Sequence, residues 1–365
     1  MKTIRPKAFD MKGVKLSAQE GFVLSRVVGT VSLSELVGIS GLDEEKVVEI
    51  VRRLVAEGTV EVEPPLTGAP PGMAVAPQTV AVCGMTDVGI ARSNNEDAFR
   101  VVDLGTKESL AVGEHTLVEL GPRGMLLVVC DGMGGESAGE IASALAVDVI
   151  CTHVAAGSRD DDPAADLRTA IDHANELVLG AADDPARQGM GTTAIAVLIR
   201  GTDAFTAEVG DSRAYVMRGG ALTQITKDQT YVQVLLDQGL LAPDSVKSSV
   251  AKNVVLQAVG RAPELVVAQR RLALRNGDKL LLCSDGLSSY VSDEEICGVL
   301  LSSVSLDEAC TELVALANAR GGHDNITVIT AHVADGMPAA APNESVAETL
   351  TTLRSYALGG GDGSF

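Results

Sequence analysis

Long hydrophobic runs are missing from this sequence of 365 residues. No apolar stretch reaches the roughly 18 residues that a transmembrane helix needs. The basic segment 1–15 also lacks the apolar centre of a signal peptide. Hydrophobic residues make up 46% and charged residues 21%, which is ordinary for a soluble globular protein. These absences predict a cytoplasmic protein with no membrane partner.

Positive charge is scarce, since 29 Lys and Arg residues stand against 49 Asp and Glu residues and the formal net charge is −20. A nucleic-acid partner is therefore disfavoured, because phosphate backbones are bound through Lys and Arg. An acidic protein that acts on a phosphorylated substrate would need metal ions to offset the repulsion. The alternative is that the excess of Asp and Glu only keeps the surface soluble.

The six cysteines contain no C-x-x-C pair. This spacing argues against a zinc site or a disulfide framework. Cys130 and Cys283 lie inside apolar runs that are typical of buried strands. We interpret the cysteines as reduced thiols in the core.

Residues 1–63 are predicted to form a small helical or winged-helix-like module. Capping boxes begin at Ser17 and Ser32, and a third helix is expected over Glu44–Glu57, followed by a strand over Thr59–Val62. From Ser17 to the end of the module there are four basic and nine acidic residues, a net charge of −5. This balance favours contact with a protein over contact with DNA.

Prolines and glycines mark a linker at residues 64–78, and a large domain is expected at residues 79–334. Short β-branched runs joined by turns predict antiparallel strands in that domain, with helices between some of them. Residues 104–123 are interpreted as an exposed hairpin. Residues 335–365 are expected to form a flexible tail, in which residues 344–358 could form one helix.

Five acidic motifs lie far apart in the chain, and together they predict a single metal site. Four of them lie at or near the end of a short apolar, β-branched run, so a rigid strand would hold each carboxylate in place. Carboxylates crowd together only when something cancels their charge, and Mg²⁺ or Mn²⁺ does this through oxygen ligands. The motifs are Asn94-Asn95-Glu96-Asp97, Asp131-Gly132-Met133-Gly134-Gly135, Gly210-Asp211-Ser212-Arg213, Ser284-Asp285-Gly286 and His323-Asp324-Asn325.

The segment from Met125 to Gly135 is the most informative of these motifs. An apolar strand delivers Asp131, and Gly132 lets its own carbonyl approach a cation without a side chain in the way. A single Asp-Gly is weak evidence because it is a common turn. The ordered set of motifs with strands between them is far more specific.

This ordered set resembles the metal-dependent protein serine/threonine phosphatases of type 2C, the PPM family, in its bacterial form. The resemblance runs from Thr86 to Val333, roughly 250 of the 365 residues, in the order of the family. The matching segments are Thr86–Phe99, Asp131–Gly135, Gly189–Thr193, Val209–Tyr215, Leu222–Asp228, Cys283–Leu287 and Gly322–Thr327. The resemblance implies an α+β fold, a four-layer α-β-β-α sandwich of two antiparallel sheets with flanking helices.

The resemblance also implies a centre of two Mn²⁺ or Mg²⁺ ions and a catalytic set of Arg92, Asp131, Asp285 and Asp324. Asp131 would bridge both ions, Asp285 and Asp324 would complete one, and the Gly132 carbonyl the other. A hydroxide between the ions would attack phosphorus directly, with no phosphoenzyme. The metals and Arg92 would offset charge on the phosphoryl oxygens.

Further residues take roles from the same resemblance. Glu96 and Asp97 would hold metal-bound waters, and Asp211 would help to bind a weaker third ion. Arg92 would grip the substrate phosphate, because its planar donor fork suits that group. Asn325 would orient Asp324 or a water.

One position differs from many eukaryotic relatives, which carry a histidine as a proposed general acid where this chain has Met133. A metal-bound water or His323 could donate the proton instead. For His323 we favour the other interpretation, a structural hydrogen bond in its loop. Residues 227–252 resemble the flap of the family, where substrate selection is set. An ordinary loop is the alternative.

The leading hypothesis is an active phosphoserine and phosphothreonine protein phosphatase that opposes bacterial Ser/Thr kinases. The alternative is a catalytically weak regulatory or scaffold protein. A third reading narrows the substrate to a phosphorylated regulator of transcription. Residues 1–63 are expected to recruit a cognate kinase or scaffold.

Overall fold

The computed structural model describes residues 3–6, 23, 31–32, 36–37, 40, 42, 44–56, 60–63, 77–110, 113–134, 138–158, 161–242 and 254–353. The chain divides into two compact units, Met1–Val75 and Ala76–Phe365. The linker predicted over residues 64–78 lies outside the described residues except for its last two.

The N-terminal unit combines a small sheet with a helix. Its antiparallel strands are β1 (Thr3–Pro6), β2 (Val31–Ser32) and β3 (Val60–Glu63), in the order β2-β1-β3. Helix α1 (Glu44–Ala56) confirms the third predicted helix, and its buried residues recur at helical spacing. The first two predicted helices lie largely outside the described residues. Strand β1 was not predicted, because a four-residue strand gives too short a pattern to detect.

The second unit contains two antiparallel sheets. In chain order its strands are β4 (Thr79–Asp87), β5 (Asp97–Asp103), β6 (Glu108–Ser109), β7 (Thr116–Glu119), β8 (Met125–Met133), β9 (Gly191–Thr192), β10 (Ala194–Arg200), β11 (Asp203–Val209), β12 (Arg213–Arg218), β13 (Ala221–Gln224), β14 (Ala268–Ala273), β15 (Lys279–Cys283), β16 (Ile326–Asp335) and β17 (Leu350–Leu353). The first sheet has the order β17-β14-β11-β10-β8-β5-β6, with β9 paired to β8. The second has the order β13-β12-β15-β16-β4-β7.

Helices alternate with these strands along the chain. They are α2 (Ala138–Ala156), α3 (Pro163–Ala181), α4 (Tyr231–Asp237), α5 (Asp285–Ser288), α6 (Asp293–Ser302), α7 (Leu306–Ala319) and α8 (Val346–Thr349). Residues of α2 and α3 share a core with the first sheet, and residues of α6 and α7 share a core with the second. Of the described helices, α2 is long and apolar enough to cross a membrane, and half of that stretch is buried inside the unit, as in a core helix.

Strand β8 shows how the sequence builds these layers. It is buried on both faces, and alternate residues point in opposite directions. Leu126 and Val128 pack with the helices α2 and α3. Leu127 and Val129 pack instead between the sheets, against residues such as Ile329. The predicted four-layer α-β-β-α sandwich is therefore confirmed.

The flexible tail predicted over residues 335–365 is wrong for its first part. The helix that residues 344–358 could form is confirmed for α8 (Val346–Thr349) only. Strand β17 follows it and pairs with β14, with Leu350 opposite Leu272. The Arg275 guanidinium donates two hydrogen bonds to the Glu344 carboxylate, at 2.8 and 2.9 Å. Buried Val346 joins the core between the sheets, so apolar burial and charge pairing hold this segment. Residues 354–365 lie outside the described residues.

The exposed hairpin predicted over residues 104–123 is also wrong. Strand β6 pairs with β5 in the first sheet, whereas β7 pairs with β4 in the second. The segment therefore passes between sheets, because the open edges of β4 and β5 offer backbone partners that a local reading cannot see.

Candidate metal centre

Strands β5 and β8 bring the first two acidic motifs together. They pair antiparallel with Asp97 directly opposite Asp131. Directly opposite residues have Cα atoms about 4.5–5.5 Å apart, and their side chains lie on the same face. Leu127 and Val129 point between the sheets, so the same alternation puts Asp97 and Asp131 on that face.

The Ser-Asp-Gly motif connects the second sheet to this pair. Strand β15 ends at Cys283, and α5 begins at Asp285. Between them, buried Ser284 donates a hydrogen bond from Oγ to Asp97 Oδ2 at 2.7 Å. The same oxygen accepts a hydrogen bond from the Thr327 N–H at 3.0 Å. The start of α5 is thereby fixed beside Asp97.

Asp211 reaches the same region through a chain of hydroxyl groups. It follows β11 and is 9% exposed. The adjacent Ser212 hydroxyl shares a 2.7 Å hydrogen bond with the Thr193 hydroxyl. Thr193 Oγ1 in turn accepts a 2.9 Å hydrogen bond from the backbone N–H of Asp131. Two hydrogen bonds thus link Ser212 with the backbone of the central acid.

Asn325 is a structural clamp for the Glu96 segment. Its Oδ1 accepts a 2.8 Å hydrogen bond from the Glu96 N–H, and its Nδ2 donates to the carbonyls of Val88 and Asn94 at 2.9 Å each. Its backbone N–H donates to Asp324 Oδ1 at 2.9 Å. Asn325 therefore contacts Asp324 through its backbone, whereas its side chain holds the loop that carries Glu96.

Arg92 lies at the open rim of this acidic group. Its Nη2 is 2.9 Å from Asp324 Oδ1, and its Nη1 is 3.8 Å from Glu96 Oε2. The Arg92 side chain is 46% exposed. A half-exposed guanidinium beside buried carboxylates can reach an incoming phosphate and still touch the acidic cluster.

The carboxylates raise one another's pKa. Burial raises the pKa of Asp131 well above its ordinary value, and repulsion from Asp97, Asp285, Asp211 and Asp324 raises it further. Burial first, and neighbouring acids second, raise the pKa of Asp97 and Asp211 to about 7 and that of Asp285 to about 6. The site therefore holds more negative charge than its own residues compensate.

The donor set fits divalent cations. Glu96 Oε1 and Asp97 Oδ1 are buried and have no hydrogen-bond partner in the described part of the chain. An unpaired carboxylate oxygen is costly to bury, and hard divalent cations are bound by such oxygens. Among the described residues no three His, Cys, Asp or Glu side chains already have the spacing of a metal cage.

Comparison with known proteins identifies the family. Residues 115–321 match the family model described as Protein phosphatase 2C. PhpP of Streptococcus pneumoniae is 34% identical over 248 residues, which is 67% of this chain and 94% of PhpP. The chain belongs to the protein phosphatase 2C family. PstP of Mycobacterium tuberculosis is 38% identical over 256 residues, which is 68% of this chain, and the chain spans only 44% of the length of PstP.

Solved structures of protein phosphatase 2C members have the same fold. The M. tuberculosis serine/threonine phosphatase PstP/Ppp matches with a TM-score of 0.61 and 34% identity, over 70% of this chain and 99% of that one. The PstP catalytic domain in complex with two manganese ions matches with a TM-score of 0.59 and 34% identity, over 70% of this chain and all of that one. The recognised family and fold are thereby confirmed.

Gly132 and Met133 continue strand β8 after Asp131 in this protein phosphatase 2C domain, and both pair with β9. A Cβ atom at Gly132 would collide with the carbonyl oxygen of Gly139 and would lie 2.5 Å from that of Glu96, so backbone packing alone requires glycine. Met133 is partly exposed.

His323 lies on the surface of the domain. Its ring contacts that of Tyr290 in a tilted arrangement, with the centroids 5.7 Å apart. The side chain is exposed, and a Cβ atom at Gly321 would lie 2.5 Å from its Nε2. Ring packing and the neighbouring backbone therefore account for the position of His323.

Some supporting residues had no predicted role. Ser284 and Thr193 belong to recognised segments, but their hydrogen-bond partners lie far away in sequence. Arg213 makes a bidentate pair with Asp228, with Nη2 2.7 Å from Oδ2, and donates from Nη1 to the Tyr215 hydroxyl at 2.9 Å. Arg213 belongs to the recognised motif Gly210-Asp211-Ser212-Arg213, and this membership was the one sign in the sequence that it has a role.

Proposed function

We propose that this chain is a metal-dependent phosphatase of phosphoserine and phosphothreonine in proteins, which opposes Ser/Thr kinases in the cytoplasm. One observation carries the proposal. Acids from five distant segments converge beside two buried carboxylate oxygens that have no hydrogen-bond partner among the described residues. Membership of the protein phosphatase 2C family supports it.

Two Mn²⁺ or Mg²⁺ ions, with a weaker third, are the cofactors proposed for this site. Asp131, Asp285, Asp324 and the Gly132 carbonyl would hold the main pair, and the acids Glu96, Asp97 and Asp211 would complete the surroundings. When bound, the cations supply Lewis acidity and activate a water for direct attack on phosphorus.

The chain's own residues would bind and orient the phosphate. The Arg92 guanidinium would exchange part of its contact with Asp324 for the phosphoryl oxygens, because a planar donor fork can bind two of them at once. Asn325 and Ser284 would keep Glu96 and Asp97 in position through hydrogen bonds of 2.8 and 2.7 Å. Preorganised groups of this kind lower the reorganisation needed in the transition state.

The experiment uses the purified full chain. Hydrolysis of p-nitrophenyl phosphate and of a phosphothreonine peptide should require Mn²⁺ or Mg²⁺ and stop with a chelator. Asp131→Asn and Asp285→Asn should each lower kcat by about 100-fold or more. The exposed Asp183→Asn is the matched control and should keep full activity. Equal turnover in the chelated protein, or in either site variant, would contradict the proposal.

A scaffold role for the N-terminal unit is the second part of the proposal. Residues 1–63 would recruit a cognate kinase or another phosphoprotein, as the excess of acidic residues favours protein contact over nucleic acid. Removal of residues 1–75 should spare turnover of p-nitrophenyl phosphate and slow turnover of the cognate phosphoprotein. Equal rates on the phosphoprotein would remove this part and leave the catalytic proposal intact.

A further inference from the structure

A pocket of about 250 Å³ opens beside the end of strand β8. Its walls come from Met133 and from the segment that follows residue 254. The lining residues are Met133, Val255, Leu256, Gln257, Ala258, Arg261, Ala262, Glu264 and Leu265.

The pocket lies near the candidate metal centre along strand β8. Met133 stands two residues after Asp131 on the same strand, a separation of about 7 Å. It pairs with Gly191 of β9, and the next residue, Thr192, forms a bridge with Val259. The aliphatic part of the Arg261 side chain covers Gly191. A side chain at position 191 would place its Cβ atom only 2.7 Å from Cγ of Arg261. One short ladder therefore joins the pocket wall to the central acid.

Several polar groups of the wall are hydrogen-bonded to other parts of the protein. The Gln257 side chain accepts a 2.9 Å hydrogen bond from the Val266 N–H through Oε1, and its Nε2 donates to Gln229 Oε1 at 3.4 Å. The guanidinium of Arg261 donates to the carbonyl of Gly189. Glu264 is exposed. The apolar part of the wall, beside these polar groups, comes from Met133, Val255, Leu256, Ala262 and Leu265.

The size of the pocket suits one side chain. Sites that enclose a whole small molecule measure roughly 300–1,000 Å³, and this pocket is smaller. Leu256 of the lining is 50% exposed, and the neighbouring Val254 is 49% exposed. These two residues extend the apolar part of the wall to the surface, where a substrate side chain can reach it.

We propose that this pocket receives an aliphatic side chain of the protein substrate, from a residue next to the phosphorylated serine or threonine. The inference rests on the proposed phosphatase function and adds to it a preference for substrates with a leucine-sized residue beside the phosphate. The occupant is a substrate segment because Met133 of the pocket wall lies two residues beyond Asp131 on β8, within reach of a neighbour of a phosphoresidue bound at the metal centre.

The test compares matched phosphothreonine peptides with the full chain and Mn²⁺. One peptide has glycine on both sides of the phosphothreonine, and two others have leucine either before or after it. Leucine on one side should raise kcat/KM by about 10-fold or more over the glycine peptide, a typical discrimination for an apolar pocket. Equal values for all three peptides would overturn the inference. Failure to hydrolyse p-nitrophenyl phosphate would instead contradict the phosphatase function itself.

Two variants locate the preference in the pocket. Ala262→Phe would fill it, and Leu256→Ala would remove part of its apolar wall. Each should reduce the leucine-to-glycine ratio of kcat/KM to below about 3-fold. Val304→Phe is the matched control, because Val304 is 94% exposed and outside the lining, and it should keep the ratio of the unmodified protein. If Ala262→Phe does not fold, Leu256→Ala alone provides the test. An unchanged leucine-to-glycine ratio of kcat/KM in the folded variants would overturn the proposal.

Discussion

Ser284 donates a 2.7 Å hydrogen bond to Asp97 across 187 positions of sequence. Both residues are buried, and they belong to opposite sheets of the sandwich. The bond therefore connects the two layers at the place where the acids converge. Because Asp97 also has a buried Oδ1 without a partner among the described residues, Ser284 provides a large part of its stabilisation.

Replacement of Ser284 by alanine should weaken both the fold and the metal site. A buried carboxylate that loses its donor costs about 1–3 kcal/mol, so the free energy of unfolding should fall by that amount and Mn²⁺ should bind less tightly. Urea denaturation and calorimetric titration with Mn²⁺ measure the two effects. Ser302→Ala, on the exposed end of α6, should change stability by less than about 0.5 kcal/mol. If Ser284→Ala binds Mn²⁺ as tightly as the unmodified protein, Ser284 does not support the metal site.

Arg92 should act on the phosphate through its geometry as well as its charge. Arg92→Ala should lower kcat/KM for a phosphopeptide by about 100-fold. Arg92→Lys should recover only part of that loss, since an ammonium group is a point charge without a planar fork. Steady-state kinetics measure this, with Arg187→Ala as a control at an exposed position. Full recovery in the lysine variant would show that charge alone is sufficient.

Glu208 should make stability depend on pH. Burial raises its pKa to about 7 in the folded chain, although Arg270 and the Lys227 N–H lower it in part. Between about pH 4.5 and 7 the unfolded chain has already released this proton, so the contribution of Glu208 to stability is fully present below the unfolded pKa and is lost as the pH rises through 7. The slope for one proton is at most about 1.4 kcal/mol per pH unit.

Glu208→Gln removes this titration. The stability of the variant relative to the unmodified protein should therefore rise between pH 5 and 8, even if the loss of the pair with Arg270 adds a constant offset. Denaturation at a series of pH values in the presence of a chelator measures the difference. Parallel pH profiles for the two proteins would disprove the assignment.

The buried pair of Arg218 and Asp278 should be essential for stability. Their side chains are 3% and 1% exposed, and Arg218 Nη2 lies 2.7 Å from Asp278 Oδ2. Asp278→Asn would leave the buried Arg218 charge with only the more distant Glu344 carboxylate, 3.9 Å from Nη1, so the free energy of unfolding should fall by about 3 kcal/mol. Arg271→Ala, which breaks the exposed contact with Asp203, should cost no more than about 1 kcal/mol. Thermal and urea denaturation compare the two, and similar losses would contradict the distinction.

The acidic centre was predictable because its acids belong to short sequence motifs next to apolar runs. Asp131 and Asp285 each follow an apolar run, and strands of that kind end at the same place in a layered fold. The recognised order of motifs then supplied the arrangement of sheets. The residues that support the centre were not predictable, because the partner of Ser284 depends on how the two sheets meet.

Strand β17 shows a second limit of sequence reasoning. Its residues Leu350–Leu353 follow Glu and Ala residues that favour a helix, and only pairing with β14 decides that they form a strand. Strand β1 had the same difficulty, since both its partners lie elsewhere in the N-terminal unit. Local propensity is a weak guide where backbone groups of a distant sheet edge compete for the segment.

The residues of β8 alternate between two cores, so the register of this strand decides which way Asp131 points. Leu126 and Leu127 belong to different cores, so one additional residue inserted between them would exchange every inward and outward position downstream. Asp131 would then point towards the helices, away from Asp97. A shift of one residue in this strand would therefore separate the two carboxylates, even if other side chains filled both hydrophobic cores.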